Sequence, residues 1–483
     1  MLGGLRRLVA VSVIAVLGTG CFPDATGVSP DLRKAYIYYP VGLDLTEPEG
    51  DYLVVANSNF DLLYNSGTVV PLELAPVREA IERCREDEGD QGCAEYLVPF
   101  ENEVLDETFE LVDFALEEHA VGIGSYASTI MVTEGLAMVP VRADSSMHFI
   151  DVVEVPEDEI DRRRVLRCAW GEDTDQPGGL QRCSSGRRIR SSTRTRDGAT
   201  IGLPSEPFGV VPWSDPEDDR DYFVVGHMVG GQISLFERGE GPSEDALPDD
   251  CFDGDDDDGD GLMNLDDPGC AGVSVSLVDV EDSFDEGSSG LAVDHDGRFL
   301  VTSRFLSHLT SFRVSRGQIS PVGTINVDIV NPGDNQRGVA VSPDGALAYV
   351  ASRAPNSVLV LDITHDEYGN YADRFLHAIE IGAGPSIIKV YADPDFAEGY
   401  LVYVVCFDED RIFVIDPAID EVTDVITTHR GPYELVFDPE TRVGYLVNFL
   451  ESTISVLDVD PRSPRFHTIL TSLGRPKRPR TND

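Results

Sequence analysis

The chain has 483 residues, 41% of them hydrophobic and 26% charged, and its formal charge is −50. The apolar fraction is that of a folded protein and excludes wholesale disorder. The charge argues against nucleic acid as a partner, because phosphate backbones are bound by clustered Lys and Arg.

Residues 1–20 join the cationic Arg6 and Arg7 to the apolar run Leu8 to Leu17 and a few small residues. This is a secretory pattern, and the run is too short to span a bilayer. Cys21, directly after Gly18-Thr19-Gly20, resembles the acylated cysteine of a bacterial lipobox. The resemblance implies lipidation of Cys21, a linker over 21–34 and an exported, membrane-anchored protein. Phe22 in place of an inner-membrane retention Asp points to the outer membrane or cell surface. Six further cysteines fall into local couples: Cys84 and Cys93, Cys168 and Cys183, Cys251 and Cys270. In an oxidising compartment these are predicted disulfides, and Cys406, inside an apolar run, is a core thiol.

The first half alternates short apolar strands (Tyr52 to Asn57, Leu136 to Val141, Tyr222 to Gly226) with three insertions. Residues 75–119 carry helical spacing and many acids, and predict a small helical appendage pinned by Cys84 and Cys93. Residues 156–200 are Arg-rich (Arg162, Arg163, Arg164, Arg187, Arg188, Arg190, Arg194, Arg196). They read as a solvated loop or as a docking patch for an acidic partner or anionic headgroups. The third insertion, 240–284, holds 10 Asp between Asp249 and Asp267. Its register Asp256-x-Asp258-x-Asp260-Gly261-Leu262-x-Asn264-x-x-Asp267 matches an EF-hand-type calcium loop. Carboxylates at positions 1, 3 and 5 wrap the ion, Gly permits the turn, and the carbonyl of Leu262 faces it. Bracketed by Cys251 and Cys270, it resembles the Asp-rich calcium loops of thrombospondin type 3 repeats. That implies a structural calcium ion held at roughly 10⁻⁴–10⁻³ M.

The second half repeats itself. Gly338 to Val350 and Gly290 to Val301 share one plan: an apolar strand, an Asp-Gly turn and a second apolar strand, with a third such as Ser357 to Asp362 following. Taking the second strand as marker, Val54, Val139, Val225, Val301, Val350, Val402 and Leu446 define seven units. The last four lie 49, 52 and 44 residues apart, a period that means four-stranded blades. An all-β, seven-bladed β-propeller over 35–470 is predicted. Ring closure is expected to use chain from both ends, with Arg465 to Leu470 as the last outer strand and a basic tail over 471–483.

The grammar Gly-Val, Ser-Pro-Asp-Gly, Tyr-Val, Val-Leu-Asp resembles the YVTN-type seven-bladed propeller repeat of bacterial surface proteins and lactonase-like propellers. Residues 285–460 match it well and 35–240 loosely. The resemblance implies a fold and no particular activity. Chain past the second strands carries Arg142, His227, Arg304 and Arg353, and loops leading into first strands carry Arg337 and Tyr433. In a propeller these share one face, where a cationic ring around the channel would hold an anionic ligand, or where each Arg would instead pair with an Asp or Glu of the neighbouring blade.

There is no Gly-x-Ser-x-Gly elbow, His-Glu-x-x-His or phosphate loop. A lactonase-like site on the central face would need His227 or His429 with an acid such as Asp294. The expectation is a binding or scaffold module for a protein or a small anionic ligand. The alternatives are that hydrolase and a purely structural envelope protein.

Overall fold

The computed structural model describes residues 37–46, 50–86, 116, 119–153, 165–168, 180–183, 187–190, 193–194, 200–239, 274–282, 284, 287–327 and 334–474. The expected signal segment, Cys21, Cys93, Cys251, Cys270 and the expected calcium loop with Asp256, Asp258, Asp260, Leu262, Asn264 and Asp267 lie outside them.

Seven antiparallel sheets form a seven-bladed propeller, and each sequence marker falls in the second strand of its blade. Blades 3 to 7 are four consecutive strands each. In blade 4 these are Ser288–Val293, Arg298–Ser303, His308–Ser315 and Gln318–Asn326. Second strands are apolar on both faces because neighbouring blades cover them: Leu446 packs with Tyr403 and Val405, and Val456 with Leu53 and Val55. The recurring glycine of the first strand has a steric cause. A Cβ on Gly42 would lie 2.5 Å from the backbone of Ile130, and one on Gly290 would lie 2.5 Å from that of Arg337. Innermost strands meet too closely around the axis for a side chain there.

Strand polarity sorts the connections. First strands start, and second strands end, on one face, called upper here. The third-to-fourth connections lie on the lower face, and all three insertions interrupt that connection, in blades 1, 2 and 3. The third insertion is shorter than expected, since Val275–Glu281 is the outer strand of blade 3.

The Arg-rich insertion is more than a solvated loop. Leu166–Arg167 and Arg188–Ile189 both pair with the third strand of blade 2, Ser146–Val152. Gln181–Arg182 instead adds a parallel fifth strand to blade 1. The Cys168–Cys183 disulfide therefore staples the outer edges of blades 1 and 2. Arg187 pairs with Asp151 at 2.5 Å and Arg188 with Asp144, so these two are not offered to an outside partner.

Ring closure departs from expectation. Blade 7 is Pro432–Asp438, Val443–Asn448, Thr453–Asp458 and Ile469–Leu473, with no strand from the amino-terminal end among the described residues. Residues 465–468 form a turn in place of a strand. His467 has φ 61°, and its ring is held by Tyr403 at 2.9 Å and Asp424 at 2.8 Å. The helix Ala75–Glu86, expected as an appendage, adds to the seam where blade 1 packs on blade 7. Val77, Ile81 and Cys84 (disulfide-bonded) join one core with Val443 and Tyr445 of blade 7. Arg78 pairs with Asp438 at 3.0 Å. Arg85 holds Asp458, whose side chain is fully buried, at 2.6 Å and donates to the carbonyls of Thr441 and Arg442. Removing Arg85 leaves that carboxylate without its cation. Arg85→Ala should cost about 3 kcal/mol in urea unfolding, and an unchanged midpoint would show the clamp to be incidental.

Two buried imidazoles set the acid limit of the fold. Burial, helped by Arg190, lowers His148 to about 3, and burial lowers His227 to about 4. Neither ring nitrogen of His148 has a partner among the described residues. Between these values and the ordinary 6.5 the unfolded chain binds more protons than the folded one. The contribution of these two groups to stability is therefore complete above about pH 6.5 and is lost as pH falls, by about 3 kcal/mol for His148 at pH 4. His148→Leu should be neutral or stabilising at pH 7 and should flatten the pH 4–6.5 decline of the melting temperature.

Candidate anion site at the axial channel

First strands open with a β-bulge at their upper end in six of the seven blades, for example between Gln336 and Val339 and between Pro432 and Leu435. A bulge re-aims the residues it contains. Here these include Phe208, Arg337 and Tyr433, of which Phe208 and Tyr433 line an axial cavity of about 210 Å³.

Five of the six expected ligand residues come together. Tyr433 of blade 7 feels the charges of Arg304, Arg142 and Arg337, and Arg304 feels those of Tyr433, Arg142 and Arg353. Blades 2, 4 and 7 are not neighbours, so these side chains can approach one another only at the axis. His227 does not join them. It is fully buried, with Nε2 2.8 Å from Ser234 Oγ and Nδ1 3.1 Å from the carbonyl of Ser205, and its role is to tie its own blade together. Asn448 does the same in blade 7, donating to Ser455 Oγ at 2.8 Å.

The four arginines divide into two kinds. Arg142 is engaged by Glu206 at 2.5 Å. Arg353 is engaged by the carbonyl of Pro385 at 2.9 Å and by Ser386 Oγ at 2.5 Å. Arg304 and Arg337 have no carboxylate partner among the described residues, and the Nε of each is buried without a hydrogen bond. The guanidinium carbon of Arg304 lies 5.2 Å from the Phe208 ring centre. Burial lowers the pKa of both, and the mutual repulsion of Arg304, Arg337 and Arg353 adds to it, bringing Arg337 to about 10. At neutral pH both remain charged, and Glu206 near Arg304 and Asp408 near Arg337 offset only part of the cost, since neither forms an ion pair with them among the described residues.

Below the mouth lie residues the sequence did not single out. Lys389 of blade 6 donates to Glu434 of blade 7 at 2.8 Å. Burial opposes the Lys389 charge, but Glu434 outweighs it and raises the pKa. Asp44 of blade 1 accepts from the backbone N–H groups of Val132 at 2.8 Å and Leu45 at 3.0 Å. Burial raises its carboxyl to about 6. A charged residue every strand or two inside a β-rich repeat carries no sequence signal unless the axis is already known.

The hydrolytic constellation does not assemble. Asp294 is bound to Arg298 at 3.0 Å on the lower face, in the turn between the first and second strands of blade 4. His429 lies on the upper rim between Glu451 at 2.7 Å and Ser472 Oγ at 2.8 Å, with its side chain 6% exposed and its pKa lowered by burial. This hydroxyl–imidazole–carboxylate chain links the outer strand of blade 7 to the loops above it. Among the described residues no group of three His, Cys, Asp or Glu could hold a metal ion.

No family model matches the chain. A stretch of 138 residues, 28% of the chain, is 32% identical to the seven-bladed beta-propeller protein Rv1057 of Mycobacterium tuberculosis, and the chain spans about a third of the length of that curated relative. Among solved structures, a candidate 6-phosphogluconolactonase from Bacteroides uniformis is 14% identical, with a TM-score of 0.46 over 80% of this chain and 85% of that one. Kuenenia stuttgartiensis hydrazine synthase is 12% identical, with a TM-score of 0.48 over 90% and 99%. Virginiamycin B lyase from Staphylococcus aureus is 9% identical, with a TM-score of 0.42 over 85% and 92%. The structural likenesses are too distant to bear on chemistry; the chain is a seven-bladed β-propeller.

Proposed function

We propose that the protein is an exported, lipid-anchored binding module of the cell envelope whose propeller holds a small anion at the upper mouth of its axial channel. One observation carries the reading. Arg304 and Arg337 bring two half-buried cations, neither with a carboxylate partner among the described residues, beside Phe208 and Tyr433 of the axial cavity, in a chain with a net charge of −50. Buried cations without partners are costly to keep, and a ligand that supplies the missing acceptors makes sense of them. The lower face, where the insertions leave the blades, is left for calcium, which in this reading rigidifies the Cys251–Cys270 loop and takes no part in ligand binding. The anchor is the lipid on Cys21, at the outer membrane or cell surface.

Titration of the full-length protein with mono- and dicarboxylates, followed by calorimetry, tests the proposal. Saturable binding that weakens as salt is raised is expected, and its absence across the series overturns the reading. The hydrolase alternative has less support, because its acid and its histidines lie on opposite faces.

A further inference from the structure

The floor of the channel says what else the ligand carries, and this inference rests on the anion reading of the mouth. The cavity is electrically polarised along the axis. At its upper end are Arg304 and Arg337, without an ion-pair partner among the described residues and each with a buried Nε that has no hydrogen bond. Lower down are the carboxylates of Glu434 and Asp44 against the single ammonium of Lys389, which Glu434 already engages at 2.8 Å. Asp44 has only the two backbone N–H groups as partners and no cation within ion-pair distance among the described residues. Between the two ends the wall is apolar, formed by Leu43, Leu291, Val339 and Ile387.

We infer that the ligand is a small zwitterion, an organic acid bearing an ammonium group across a short methylene chain. Its carboxylate lies on Arg304 and Arg337, and its ammonium lies on Asp44. One carboxylate is then shared by the two guanidinium groups, and the Asp44 carboxylate, which Lys389 serves only at longer range, gains a cation of its own. The chain of methylenes meets the apolar wall, and Phe208 and Tyr433 close over it at the mouth. Size agrees. The cavity, of about 210 Å³, has room for an amino acid of short chain. The carboxyl of Asp44, raised to about 6 by burial, is a group that gains from a neighbouring cation.

The test pairs ligands that differ only in the ammonium group. Calorimetry on the full-length protein compares 4-aminobutyrate with butyrate and 6-aminohexanoate with hexanoate. At least one amino acid should bind tenfold or more tightly than its parent carboxylate. Asp44→Asn should erase that gap while leaving the parent carboxylate unchanged, with the melting curve confirming a folded variant. The ligand pairs alone decide the matter if that variant does not fold. Equal affinities within both pairs on the unaltered protein overturn the zwitterion and leave the anion site standing. No binding by any of the four, or binding undiminished in Arg304→Gln/Arg337→Gln, overturns both.

Discussion

Arg304→Gln/Arg337→Gln will lose anion binding by at least a hundredfold and will melt at a higher temperature than the unaltered protein. The two effects have one cause. Each guanidinium is partly desolvated, repels the other, and has a buried Nε with no acceptor. An unmade hydrogen bond of this kind costs about 1–3 kcal/mol, more for a charged group. Glutamine keeps the side chain polar and removes the charge, so the fold loses a penalty while the mouth loses its attraction. A gain of about 1–3 °C is expected for a chain of this size. Differential scanning fluorimetry beside calorimetry reads both quantities. A drop in melting temperature would mean that the two arginines hold blades together, and the mouth would then be an element of the scaffold. Arg142→Gln is the contrasting case: its partner Glu206 is left alone, so stability should fall.

The second large effect lies on the opposite face. Arg298 is fully buried and satisfies three partners: Asp294 at 3.0 Å, Asp373 at 2.8 Å and the carbonyl of Ile363 at 3.2 Å. Its guanidinium carbon also lies 3.8 Å from the centre of the Tyr371 ring. Asp294 belongs to blade 4, whereas Ile363, Tyr371 and Asp373 belong to blade 5, so one side chain joins the two. Arg298→Ala abandons two carboxylates and opens a cavity, and should cost about 3–5 kcal/mol. Restoring charge balance is the control. Arg298→Met combined with Asp294→Asn and Asp373→Asn should recover most of the loss, because a buried ion cluster is often replaced by neutral groups at little cost. Urea unfolding of the single and triple variants decides it. If the triple variant is no better than Arg298→Ala, shape and hydrogen bonding outweigh charge at this joint.

The blades were legible because their strands obey a strict rule. Val301, Val350, Val402 and Leu446 sit in short apolar runs bounded by tight turns, and their length and β-branched content mark them as strands covered on both faces. The mouth was legible to the same degree, since Arg304 and Arg353 follow the second strand in matching contexts (Thr-Ser-Arg, Ala-Ser-Arg). What distinguished them was not. Arg353 is spent on backbone carbonyls and Arg304 is not, a difference set by the neighbouring blade. His227 occupies a similar place in its repeat yet turns inward, because Ser234 offers its imidazole a partner in the next strand. The floor residues Asp44, Lys389 and Glu434 come from three first strands whose meeting depends on ring closure. The destination of Gln181–Arg182 was hidden for a related reason: a two-residue strand has no periodicity to read.

The seam between blades 1 and 7, reinforced by a helix, has a kinetic consequence. In most blades the strands come from one unbroken stretch, so no strand waits for the far end of the chain to be made. Blade contacts are local in sequence, which favours fast formation, and each blade offers a surface on which the next assembles. The Arg78 and Arg85 contacts join residues more than 350 positions apart and cannot form until blade 7 exists. A chain emerging amino-terminus first from a narrow exit would thus fold as an open arc, and its circle would be sealed by side chains in the final step.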